Sequence, residues 1–104
     1  MRSLTENEWY IYQLRCQDGS YYAAATRDLV RALVRHHQGQ MTRTRSLLPV
    51  RLAYACVCSI QEGEFVLNRL IRRPFSQLRG LPSPLGPQDL GHVEREVMRQ
   101  LAGS

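Results

Sequence analysis

Apolar and polar positions first follow a strand pattern. Trp9 to Cys16, WYIYQLRC, is dense in aromatic and β-branched residues and predicts a strand. Gln17 to Ser20 is polar, and its Asp18-Gly19 pair is a strong hairpin signal. Tyr21 to Thr26 predicts the returning strand, although its alanines are weak strand formers and need packing to hold them there. The period then changes. Leu29, Val30, Leu33 and Val34 recur at helical spacing, with Thr26 or Asp28 placed to cap the start and Gly39 to close the end. Gln40 to Leu48 is polar and predicts a loop, and Val50 to Cys58 predicts a third, largely buried strand. Glu62 to Arg73 predicts a second helix, with Val66, Leu67, Leu70 and Ile71 inward and Asn68, Arg69 and Arg72 outward. Pro74 stops it. Gly80 to Pro87 holds three prolines and predicts a loop, and Gln88 to Leu101 predicts a last helix with Val93, Val97, Met98 and Leu101 as its seam. Trp9 is assigned to the core. The order β-β-α-β-α-α predicts an α+β fold: a small three-stranded antiparallel sheet flanked by helices.

Length narrows the choices. The 104 residues suit one domain. Hydrophobic residues at 43% and charged residues at 22% are those of an ordinary globule. No stretch is long and apolar enough for a bilayer, so no membrane partner is expected. Met1 to Glu8 carries Glu6 and Glu8 and has no apolar run, unlike a secretion signal, and a cytoplasmic location is the expectation. The three cysteines are too few and too odd in number for a disulfide framework. Cys56 and Cys58 share one face of the third strand, and with no further ligands at chelating spacing they read as buried thiols.

Charge adds a partner. All fourteen basic residues are arginine. Between Arg27 and Arg79 there are ten arginines against Asp28, Glu62 and Glu64, a balance of +7, while the rest of the chain stands at −2. Arg27, Arg31 and Arg35 are spaced four apart and form a basic stripe on the first helix, which Arg43 and Arg45 extend into the next loop. Guanidinium forks match phosphate, so the stripe predicts a polyanionic partner. Arg69, Arg72 and Arg73 either add to this surface or pack against the last helix. No Ser-His-Asp or Cys-His spacing singles out a nucleophile.

Strand, Asp-Gly turn, a strand with paired tyrosines and a basic helix together resemble the GIY-YIG nuclease superfamily, most closely its small single-domain bacterial members. The resemblance rests on WYIYQLRCQDGSYY, then TRDL and His36, and extends through Pro49-Val50-Arg51-Leu52 and Tyr54 to about Arg73. It divides the chain into a tail (1–8), a GIY-YIG-like domain (9–79) and a loop with a C-terminal helix packed on it (80–104).

The first half of the family's name motif falls on Tyr10-Ile11-Tyr12 and the second on Tyr22-Ala23-Ala24. The resemblance therefore implies that Tyr12 and Tyr22, with His36, line a phosphodiester-cleaving site. Such a site needs a nucleophile, a cation for the developing charge and in-line geometry. Three positions depart. Ala24 replaces a glycine, and its methyl crowds the pocket. Ala32 stands where the family's catalytic arginine is expected, leaving Arg31, about 100° round the helix, or Arg35 to reach across. Asn68 stands where the family's metal-binding glutamate is expected, and Glu64, one turn earlier, is the nearby acid that can substitute. The implied cofactor of an active form is Mg2+ or Mn2+.

The expected function is thus a nuclease-like domain that binds nucleic acid, with DNA as the expected partner, and is catalytically impaired or inactive. The alternatives are an active divalent-metal-dependent DNA endonuclease and a protein-interaction module that reuses the fold, docking a partner through Leu78 to Leu90.

Overall fold

Eight residues from Glu8 to Arg15 form β1, the central strand of the sheet. The computed structural model that establishes this fold describes residues 3–103. Met1 and Arg2, part of the expected tail, lie outside the described residues, as does Ser104. Both faces of β1 are buried, which explains why its sequence is nearly continuously apolar. Tyr10, Tyr12, Leu14 and Cys16 belong to one core cluster, and Ile11 belongs to the other. The Asp18-Gly19 turn closes as expected: Gly19 adopts φ +86°, and the Cys16 N–H donates to the Ser20 carbonyl at 2.9 Å. The chain returns as β2, Tyr21–Thr26, antiparallel to β1.

The elements then follow in the predicted order. They are α1 (Leu29–His37), β3 (Arg51–Ser59), α2 (Ile60–Leu70) and α3 (Pro87–Ala102), with a single 3-10 turn at Phe75–Gln77 between the last two. The strand order is β2-β1-β3, so β2 and β3 are the edges. Helices α1 and α3 cover the tyrosine face of β1, with Leu29, Leu33, Val34, Val93 and Val97 in its cluster. Helix α2 covers the opposite face with Val66 and Leu70, beside Tyr54, Cys56 and Cys58. The three cysteines are free and buried, as their apolar setting implied. At Gly63 an added Cβ would stand 3.2 Å from Ile11 Cδ1, so the absence of a side chain lets α2 sit close on the sheet.

Three details differ from the sequence pattern. Helix α2 ends at Leu70, before Pro74 requires it, because the Gln13 side chain captures the chain there. Its amide nitrogen donates to the Leu70 and Arg73 carbonyls at 2.9 and 2.8 Å, and its oxygen accepts from the Phe75 N–H at 3.1 Å. Ile71, which its spacing assigns to the apolar arc, caps the helix with its N–H still bonded to the Leu67 carbonyl and is 54% exposed. Met98 is likewise outside the α3 seam at 71% exposed, and Trp9 is only half-buried.

Within the segment from Leu78 to Leu90, expected as the docking surface of the interaction-module alternative, three leucines turn inward while Arg79, Gly80, Ser83 and Pro84 stay exposed. Leu78, Leu81 and Leu85 pack on the two clusters, Leu85 N–H donates to the Ala55 carbonyl, and the Tyr54 hydroxyl donates to the Pro82 carbonyl. It covers the outer edge of β3, which a bare edge strand needs. No helix among the described residues is long and apolar enough to cross a membrane.

Candidate nucleic-acid interface

The site is built on β2. Tyr12 pairs with Ala24 and Leu14 with Tyr22, so register places both phenols on the face that α1 covers. Their ring centroids are 6.5 Å apart. Asp28 caps the start of α1 by accepting from the Arg31 N–H at 3.1 Å, and the four-residue spacing along the helix sets Arg31 and Arg35 about one turn apart. Between β2 and α1 lies a cleft of about 280 Å³ lined by Tyr12, Tyr22, Asp28, Arg31, Ala32 and Arg35. Ala24 also lines it. The two arginines reach the cleft even though Ala32 occupies the position between them.

His36 belongs to the group but does not line the cleft. It is fully buried, shares a 2.8 Å hydrogen bond between Nε2 and the Tyr12 hydroxyl, and shares a 2.7 Å bond between Nδ1 and Thr44 Oγ1. Burial first, then His37 and Arg35, lowers its pKa to about 4. The ring is neutral near pH 7, with one nitrogen donating and the other accepting. Its hydrogen bond holds the Tyr12 hydroxyl from the buried side. Burial also raises the Tyr12 phenol well above its ordinary range, Tyr22 adds to the shift and Arg35 opposes it. Tyr12 is therefore protonated at neutral pH, a hydrogen-bonding group and not a ready base.

The remaining predicted residues disperse. Arg27 is drawn away from the stripe: its Nη1 donates to the carbonyls of Thr5 at 2.8 Å, Glu6 at 3.4 Å and Glu8 at 2.6 Å, tying down the N-terminal segment. Arg43 lines a neighbouring cleft with Tyr22, and Arg45 is exposed on the same loop. Asn68 is exposed on α2. Glu64 lines a separate, apolar cleft with Trp9, Ile11 and Ala25, across β2 from the tyrosines. A hard divalent cation takes several oxygen ligands. Among the described residues no group of three His, Cys, Asp or Glu side chains stands together to hold a metal. Asn68 and Glu64 do not fit a protein-held ion beside Tyr12.

No family model matches the chain, and no solved structure matches it. Named relatives do. A UPF0213 protein of Streptococcus pneumoniae is 38% identical over 69 residues, spanning 65% of this chain and 70% of the relative. One from Xanthomonas axonopodis pv. citri is 38% identical over 80 residues, spanning 71% and 78%. One from Bacillus licheniformis is 38% identical over 72 residues, spanning 64% and 74%. This chain belongs to the UPF0213 family.

In this UPF0213 chain two participants escaped the sequence. Thr44 reads as an ordinary loop residue, yet it is fully buried and closes the hydrogen-bonded chain to Tyr12. No pattern announces it, because the partnership depends on how the loop folds back over α1. Asp28 was legible as a helix cap, but its place at the cleft follows only from where α1 docks.

Proposed function

We propose that this chain is a GIY-YIG-type domain that binds nucleic acid, with DNA as its partner, and that cleaves phosphodiesters poorly or not at all. The observation that carries the reading is the convergence of Tyr12, Tyr22, Arg31 and Arg35 on one cleft. Guanidinium groups neutralise a phosphate while phenolic hydroxyls hydrogen-bond its oxygens. Impairment is supported by the protonated Tyr12, the Ala32 and Asn68 replacements, and the placement of Glu64 in a different cleft from the tyrosines. The test is anisotropy with labelled DNA across a salt series. Arg31→Glu with Arg35→Glu should weaken binding roughly a hundredfold and flatten the log–log salt dependence by about one unit for each phosphate left without its arginine. Unchanged affinity and slope would remove this surface from the reading.

A second reading, an active endonuclease needing Mg2+ or Mn2+, is favoured by one observation: Arg31 and Arg35 bring to the cleft the positive charge that Ala32 lacks. Branched and single-stranded DNA incubated with either ion decides between the two. Cleavage that disappears in Tyr22→Phe establishes the enzyme, and intact substrate supports the impaired domain.

A further inference from the structure

The phosphate cleft has a neighbour. On the edge of β2 a second cleft of about 360 Å³ is lined by Tyr21, Tyr22, Ala23, Arg43 and Ile71. Tyr22 lines both clefts, so the two adjoin at that residue. We propose that this second cleft is a subsite for the base of an unpaired nucleotide whose neighbouring phosphate is held by Arg31 and Arg35. The inference rests on the proposed phosphate site and adds a base-binding site to it.

The chemistry of the walls selects the occupant. Tyr21 and Tyr22 offer aromatic surface, and Ile71, at the C-terminal cap of α2, offers aliphatic surface that the fold leaves 54% exposed. Arg43 contributes an exposed guanidinium from the loop that Thr44 anchors through His36. A cleft that combines aromatic and aliphatic walls with a planar cation suits a nucleobase, which has a π-face for the phenol and the guanidinium and apolar area for the isoleucine. The volume lies in the usual range for small-ligand sites, about 300–1,000 Å³. A polyanionic strand arriving at Arg31 and Arg35 meets Arg43 next along the edge, so charge continues across both clefts. A base within a duplex is stacked and cannot enter without leaving its pair, and an unpaired one enters at lower cost. Since every base has a π-face, the slot accepts bases with little sequence preference.

The experiment uses the full chain and two labelled single strands of equal length, oligothymidylate and an abasic strand with the same phosphates. At low salt the base-bearing strand should bind about tenfold more tightly, the lower range for one stacked base. Ile71→Ser, at a largely exposed position, and Tyr21→Ala should each narrow that gap. A 2-aminopurine placed in the strand should be quenched on binding the natural chain and less so with Ile71→Ser. Equal affinity for both strands, each lost as salt rises, overturns the base subsite and leaves the phosphate reading standing. No binding of either strand overturns both. A gap that persists in both variants places the base elsewhere and also overturns the proposal.

Discussion

His36 carries the clearest consequence at the scale of one residue. Its imidazole is fully buried, neutral and bonded on both nitrogens. Its folded pKa of about 4 lies below the ordinary 6.5, so between those values the unfolded chain takes up a proton that the folded chain refuses. The stabilisation is fully present above about pH 6.5 and is lost as pH falls towards 4. At 1.36 kcal/mol per pKa unit the contribution is about 3 kcal/mol. Urea unfolding at pH 7 and at pH 4.5 should show a drop of that order. His36→Gln should show a shallower drop, since the amide does not titrate. An identical pH dependence in the variant would show that other groups carry the effect.

At the scale of elements, the end of α2 is set by β1. Gln13 is fully buried and satisfies two carbonyls and one N–H of the passing chain. A polar residue in the middle of an apolar strand is costly unless it is paired, and here it is paired three times. Gln13→Ala leaves those backbone groups without their partner. We expect a loss of about 3 kcal/mol in unfolding free energy and faster hydrogen exchange at Phe75. Exchange at Phe75 unchanged from the natural chain would mean that the turn holds without the side chain. The alanines of β2 illustrate the opposite case. They are weak strand formers by themselves, and β2 forms because it pairs along its length with β1 and is packed on from both faces.

Across the whole molecule, α3 completes the fold by closing over α1. Val93 is fully buried and Val97 nearly so, whereas Met98 is 71% exposed, although all three fall on one predicted seam. Val93→Ala should therefore cost about 2 kcal/mol through lost burial and a residual cavity. Met98→Ala should stay within about 0.5 kcal/mol of the natural chain. Urea denaturation of the two variants makes the comparison, and equal costs would mean that α3 is rotated about its axis from this placement.

Much of this was legible in the sequence. The Asp18-Gly19 turn, the aromatic and β-branched run of Trp9 to Cys16, the helical recurrence of Leu29 to Val34 and the proline-bearing Gly80 to Pro87 loop are local signals, set by backbone sterics and by the spacing of apolar side chains. They determined the α+β class and the order of elements, and the register that follows from the hairpin put Tyr12 and Tyr22 on one face. Only tertiary structure decided which arginines meet those tyrosines. Arg27, Arg31 and Arg35 are equivalent as a spacing, but the packing of α1 turns two of them to the cleft and gives the first to the carbonyls of the N-terminal segment. It also buried Thr44 against His36 and left Ile71 bare. The physical reason is range: periodicity reports what a residue's near neighbours along the chain require, whereas a site is made by groups that burial and hydrogen bonding bring together from distant segments.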